Sequence, residues 1–280
     1  MRGIRFDEPG KVKLSAIDTE PKKGIAREDG EARLAELGEE LFELQALMWG
    51  AKTHSLLLVL QGRDAAGKDG TVKDVLGHLN PRGVRVASFG VPSKEERAHD
   101  FLWRIHRQAP MHGCIVAFNR SHYEDVLVVR VHKLAPPKVW KARYAHINSF
   151  EAGLAEAGTI IVKCFLHISK KEQEERLYAR EEKDYKAWKL NAGDWRERRH
   201  WRAYTRAYED AIGRCAQRRA PWVVVPADKK WYRNVVVADA LVEALRPFKG
   251  RWEKTLERIG IEGRAELAAY RESLAADRLS

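Results

Sequence analysis

Two glycines five residues apart, followed at once by a lysine, stand in the segment Gly62-Arg63-Asp64-Ala65-Ala66-Gly67-Lys68-Asp69. Glycines at that spacing let backbone N–H groups curl inward into an anion nest, and a helix starting there adds its positive dipole end. Lys68 reaches a phosphate held in that nest as a point charge. The pattern is that of a P-loop with one departure: Asp69 stands where a hydroxyl residue ordinarily holds Mg²⁺, and Thr71 follows two positions later. A second carboxylate, Asp64, lies inside the loop and would repel phosphate. It becomes useful when a divalent cation sits between the two, because Mg²⁺ is commonly held by one or two carboxylates plus phosphate oxygens. The competing reading of Asp64 is an Asx-turn that bonds its own loop. Phosphate contacts are expected from Gly62, Arg63, Ala65, Ala66, Gly67, Asp69, Gly70 and Thr71.

A second polar run, Asn119-Arg120-Ser121-His122-Tyr123-Glu124-Asp125, follows the apolar stretch Gly113–Phe118. Arg120 offers a bidentate donor to phosphate. Asn119 offers a neutral oxygen to a metal or its water, and Asp125 is a further metal candidate. Glu124 reads either as the capping-box partner of Ser121 or as a contact to a nucleotide. Arg130 and His132 come next, and Arg130 is carried as a nucleotide-binding candidate. His122 and His132 lack metal-ligand spacing, so no zinc site is expected.

A third run is basic. Arg176, Arg180 and Lys183 share one helix face, Lys186 and Lys189 follow, and Arg196, Arg198, Arg199 and Arg202 come after Gly193. It reads as a solvated face partly paired with neighbouring glutamates, or as a lid (about 176–202) closing cations over phosphates.

These runs need strand ends to hold them. Continuous apolar stretches at 55–60, 84–89, 113–118, 159–166 and 222–225 predict five buried strands. Helices are predicted between them: 31–49, 69–79, from the capping box Ser93/Glu96 to about Gln108, Ser121–Val131, Val139 to about Ala157, 169 to about 182, Asp194 to about Arg218, and 231–245. Alternating strands and helices predict an α/β fold, a three-layer αβα sandwich around a five-stranded parallel sheet with a helical lid. Ligands of such sheets sit at the carboxyl ends of strands, and the motifs follow Leu60, Phe118 and Leu166. Residues 1–30 read as an N-terminal arm, 31–248 as the phosphate-handling domain and 249–280 as a helical tail.

Charge narrows the partners. Lysine and arginine total 51 against 40 acidic residues, a net of +11, which favours anionic partners. No apolar run is long enough to cross a bilayer and the first residues lack an apolar signal region, so a cytoplasmic protein without a membrane partner is expected. Cys114, Cys164 and Cys215 are widely spaced and read as buried free thiols. Nine tryptophans beside the basic charge keep open a non-enzymatic nucleic-acid binder, although no RNP, zinc or helix-turn-helix signature occurs and no nucleic-acid partner is expected.

Gly62–Gly70, Phe118-Asn-Arg-Ser-His-Tyr-Glu124-Asp125, and Arg180 followed by Lys183-Asp184 and Trp188-Lys-Leu, in that order and spacing, resemble the polyphosphate kinase 2 family over roughly Glu31–Phe248. The resemblance implies Mg²⁺-dependent, reversible transfer between inorganic polyphosphate and adenine or guanine nucleotides. It implies a P-loop kinase fold similar to thymidylate kinase, and a homo-oligomer, dimer or tetramer. Asp64 then resembles the loop carboxylate tied to Mg²⁺, Lys68 and Arg120 the phosphate ligands and Arg180 the lid arginine; Lys183 is carried as a phosphate- or nucleotide-binding candidate of the basic run. Many members carry Asp where this chain has Asn119. The Asn-Arg-Ser…Tyr-Glu-Asp pattern resembles members accepting both mono- and diphosphates, with Glu124 selecting the acceptor. The rival enzyme on the same fold is an ATP-dependent nucleoside monophosphate kinase, against which Asp69 argues.

Overall fold

The computed structural model describes residues 1–181 and 190–277. Lys183, Lys186 and Lys189 therefore lie outside the described residues.

Six strands form one sheet: β1 (Ile4–Phe6), β2 (Ser55–Gly62), β3 (Val84–Ser88), β4 (Ile115–Asn119), β5 (Thr159–His167) and β6 (Trp222–Pro226), in the order β1-β6-β5-β2-β4-β3. Five of them are parallel neighbours, as the apolar runs predicted. The strand count is corrected by β1, which pairs antiparallel with β6 through Ile4 opposite Val224. Within the segment expected as an N-terminal arm, β1 extends the sheet, and Val12 and Leu14 are buried in the core.

Successive side chains of a strand point to opposite faces, and β2 buries both. Leu56, Leu58 and Leu60 pack against α1 (Arg27–Ala51), while Leu57 and Val59 join the core on the opposite face. The chain then runs through α2 (Lys68–Thr71), α3 (Lys94–Ala98), α4 (Trp103–His106), α5 (Val128–Val131), α6 (Pro137–Glu156), α7 (Lys170–Glu181), α8 (Ala192–Arg198), α9 (Trp201–Cys215), α10 (Lys230–Leu245) and α11 (Lys249–Asp277). α1 and α10 cover one face; α6 and α9 cover the other. The result is the expected three-layer sandwich. α11 follows a 3₁₀ turn at Arg246–Phe248 without a break and buries Trp252, whose indole donates to His54 Nδ1 at 3.1 Å.

Four predicted helices depart from their patterns. The one over 69–79 is α-helical only to Thr71 and continues as a π-helical segment at Val72–Leu76. Ser93 and Glu96 do form the capping box. The helix nevertheless stops at Ala98, because the Asp100 carboxylate accepts from the Leu102 N–H and diverts the backbone into a local turn. At Ser121 no box forms: its hydroxyl accepts from the Tyr123 N–H, and His122–Asp125 is a tight 3₁₀ turn. Asp194 is not a cap either. Asn191 caps α8, Asp194 pairs with Arg180, and the helix divides at 199–200 before α9 begins. Of the cysteines, Cys164 and Cys215 are buried and Cys114 is partly exposed; all are free.

Candidate active site

The central position of β2 between β4 and β5 brings three chain ends together. Leu60 lies opposite Asn119, and Gly62 lies opposite Leu166. The loop after β2, the turn after β4 and helix α7 after β5 thus meet at one rim of the sheet, the carboxyl rim where open α/β sheets bind ligands.

The loop is bent hard. Gly67 has φ 104° and Ala65 has φ 62°, both left-handed, and Arg120 on the neighbouring turn has φ 65°. Each non-glycine residue there costs roughly 1–2 kcal/mol, and such strain persists only where surroundings over-determine it. Here they do. Arg176 donates to the carbonyls of Ala65 (3.0 Å) and Ala66 (3.1 Å), and to those of Ala227 and Asp228. Gln173 donates to the Asp64 carbonyl at 2.9 Å. Arg233 from α10 lies beneath the loop, fully buried, with its pKa lowered to about 10 by burial and the neighbouring Arg176. A Cβ on Gly67 would collide with the Arg233 guanidinium. Gly67→Ala is therefore expected to lower stability by about 1–3 kcal/mol and to weaken phosphate binding, read by urea denaturation and by the polyphosphate KM.

Lys68, nearly buried, donates from Nζ to the carbonyls of Gly62 (2.7 Å) and Arg63 (3.3 Å). Burial and the Arg120 charge lower its pKa, against the pull of Asp64, Glu124 and Asp69. Arg120 lies between two carboxylates: Nη2 donates to Asp64 Oδ1 at 2.8 Å, and Nη1 is 3.5 Å from Glu124 Oε2. Burial works against the guanidinium charge, but Glu124 and Asp64 more than offset it and raise the pKa. Burial raises that of Glu124, with Arg120 and Lys68 opposing. Glu124 thus faces Arg120 and not the helix start. Asn119 donates to Asp69 Oδ1 at 2.8 Å.

Other candidates sit elsewhere. Thr71 is buried and its hydroxyl returns to the Gly67 carbonyl, so it supplies no loop-end hydroxyl. The Ala66 N–H donates to Arg63 O, and its methyl enters the core. Gly70 packs under Arg233. Arg63 turns away from the loop to Trp201 O and Thr205 Oγ1, its guanidinium 3.9 Å over the Trp201 ring. Asp125 is paired with Arg143 (2.9 Å) and lies 3.9 Å from Arg104, away from Asp64, so it is not a metal partner for that residue. Arg130 bonds Asp210 at 2.6 Å, lies over Trp140 and lines a groove with Arg206 and Arg214 instead of the hollow beside the loop. Arg180 donates to Asp194 Oδ2 at 2.7 Å and stands behind that carboxylate. Among the described residues, no three His, Cys, Asp or Glu side chains gather as a metal cage.

A hollow of about 300 Å³ opens beside the loop, between Asp64, Arg120 and Glu124 on one side and α8 and α9 on the other. Its far wall is aromatic, with Trp201, Tyr204 and Tyr208. Glu197 ties that wall to the body, accepting from Tyr204 OH at 2.7 Å and lying 2.9 Å from His132 Nε2. Neither this wall nor the inward roles of Arg176, Gln173 and Arg233 carries a sequence signal beyond the general basic run.

The turn bearing Glu124 rests on a buried polar cluster. Lys163 from β5 donates to Glu151 Oε2 (2.5 Å), Tyr123 OH (3.0 Å) and Cys215 O (2.6 Å). Glu151 Oε1 accepts from Tyr123 OH (2.8 Å) and lies 3.1 Å from His122 Nε2. All four of these side chains are fully buried.

The polyphosphate kinase 2 (PPK2) family model matches residues 24–251. An AMP/ADP-polyphosphate phosphotransferase of Meiothermus ruber is 48% identical over 269 residues, covering 94% of this chain and 100% of that protein. An ADP-polyphosphate phosphotransferase of Rhodopseudomonas palustris is 42% identical over 229 residues, covering 78% and 79%. The crystal structure of a polyphosphate kinase 2 from Arthrobacter aurescens superposes with a TM-score of 0.82 at 41% identity, covering 89% of this chain and 93% of that one.

Proposed function

The chain belongs to the polyphosphate kinase 2 family, and from that premise we propose that it moves phosphoryl groups between inorganic polyphosphate and the nucleotides AMP and ADP, in either direction. One observation carries the site assignment: Arg120 is held between Asp64 of the phosphate loop and Glu124 at the aromatic hollow. A donor phosphate in the loop and an acceptor phosphate from the hollow meet at that guanidinium.

The acceptor is already anionic at neutral pH, so no strong general base is required. Lys68 and Arg120 neutralise charge on the transferring group and align it, which is most of what phosphoryl transfer needs. Arg180 joins them on exchanging Asp194 for phosphate. Glu124 positions the acceptor. The flat faces of Trp201 and Tyr204 suit a purine, adenine or guanine.

The donor chemistry at the loop fits Mg²⁺. Asp64 and Asp69, with the amide oxygen of Asn119, are hard oxygen donors beside the nest, and Mg²⁺ needs few protein ligands when phosphate supplies the others. Once bound, it would neutralise phosphate charge and fix the geometry of the phosphates. In the same reading the protein works in the cytoplasm as a homo-oligomer. Among the described residues no helix is long and apolar enough to cross a membrane.

The test is one time course. Purified protein with Mg²⁺, polyphosphate and AMP is expected to form ADP and then ATP, and EDTA to stop both. Turnover with ATP as sole donor to a non-adenine monophosphate, and none with polyphosphate, would sink this reading in favour of a nucleoside monophosphate kinase.

A further inference from the structure

Between Trp201 and Ala220 every exposed side chain is an arginine: Arg202, Arg206, Arg214, Arg218 and Arg219. The three on α9 are four and eight residues apart, which makes a single, slowly winding stripe. The step between Arg206 and Arg214 is Asp210, whose carboxylate is taken by Arg130 at 2.6 Å. Arg202, Arg206, Arg214 and Arg219 form no ion pair with any described residue. Arg218 pairs with Glu8 at 2.7 Å, but both side chains are mostly exposed, where such pairs are worth little.

The stripe has a direction. α9 starts at the aromatic wall of the catalytic hollow and spans about 22 Å at 1.5 Å per residue. Midway, Arg206 and Arg214 line a groove with Lys11. Past its end, Arg218 and Arg219 rim a cavity at the opposite edge of the sheet, by Thr53 and Gly158, where Arg5 and Arg251 join them. Ordinary soluble surfaces intersperse both signs of charge. The groove also holds Glu209 and Asp210 and the cavity Glu156 and Glu243, but Glu209 accepts from the Leu14 N–H and Asp210 is paired with Arg130, and the exposed positions themselves are all basic. A basic row that leads out of a phosphate site matches a polyanion longer than the site.

We propose that this row is a polyphosphate track: it binds the part of a long polyphosphate chain that lies outside the catalytic hollow. The proposal rests on the phosphotransferase reading. Guanidinium groups suit it because they grip phosphate oxygens bidentately and remain charged. Nucleic acid fits less well. Binding single strands uses exposed aromatic platforms between the cations, whereas Tyr208 is buried and Trp201 and Tyr204 face the hollow.

The test compares donors of two lengths. The triple variant Arg206→Glu, Arg214→Glu, Arg219→Glu is set beside a charge-matched control on α11, Arg258→Glu, Arg264→Glu, Arg271→Glu. The track variant is expected to raise KM for long-chain polyphosphate about tenfold or more at low salt, with the gap closing as salt rises. Its kinetics with tripolyphosphate, its KM for AMP and its melting temperature should match the wild type, and the control should leave long-chain KM nearly unchanged. Equal shifts in track and control variants, or equal shifts for both donor lengths, overturn the track. Loss of single-stranded oligonucleotide binding with unchanged long-chain KM assigns the row to nucleic acid and also overturns it. Wild-type protein inactive with both donors defeats the phosphotransferase reading itself, a result distinguishable from failure of the track alone.

Discussion

Lys68→Ala is expected to lower kcat for polyphosphate-dependent phosphorylation of AMP by about a hundred- to a thousandfold, the usual cost of deleting a preorganised donor to developing charge. The ammonium is pinned at the mouth of the loop by Gly62 O and Arg63 O. In the proposed reading it stands ready beside the nest when charge builds on the transferring phosphoryl group. Stability should change little, because burial and the Arg120 charge already work against this cation, as the direction of its pKa indicates. The measurement is steady-state kinetics paired with a melting curve. Large loss of kcat with a near-normal melting temperature supports the assignment; wild-type turnover would falsify it.

Lys163→Met is expected to destabilise the fold by about 3–5 kcal/mol, because it strands the fully buried Glu151 carboxylate without its counter-ion. Burial pushes the Glu151 pKa up, but Lys163 and His122 more than offset this and hold it below the ordinary value. The sign follows. In the wild type this group stabilises above the unfolded carboxylate pKa and loses that contribution as pH falls through the depressed folded value. In the variant the carboxylate has lost its counter-ion, so the deficit should shrink as pH falls and the stranded charge is protonated. Urea denaturation at several pH values reads this directly. The double variant Lys163→Met, Glu151→Leu should recover much of the loss, since replacing both partners leaves no buried charge. A single variant as stable as the wild type at neutral pH would show that the cluster contributes nothing. Activity is expected to fall alongside stability, because Tyr123 and His122 of this cluster belong to the turn that presents Glu124.

How much of this was legible in the sequence depended on range. The five parallel strands are continuous apolar runs, and burial on both faces requires such runs. β1 is three residues with an arginine in the middle; only its pairing with β6 makes it a strand. Asp64, Lys68, Arg120 and Glu124 come together because β2 and β4 are neighbours; the sequence placed their motifs at strand ends but not which strands adjoin. Asp125 and Arg130 lie apart from the loop for the converse reason. In a tight 3₁₀ turn and a short helix, neighbouring residues face different ways, and spacing alone does not reveal which faces the loop. The spacing groups Arg176 with the lid cations, yet it props the loop from behind. That role requires α7, β6 and the loop to meet in space. Two of the broken helices yield to local bonds, Asp100 accepting from the Leu102 N–H and Ser121 from the Tyr123 N–H, whereas Asp194 is drawn to Arg180, fourteen residues back.

The pairing of Ile4–Phe6 with β6 bears on how the protein can be handled. Without β1, β6 would present the run Trp222-Val-Val-Val with its N–H and C=O groups unpaired on one side. Such an edge is a template for another chain. The first six residues thus act as a guard against strand-to-strand aggregation, and a truncation that removes them is expected to lower solubility.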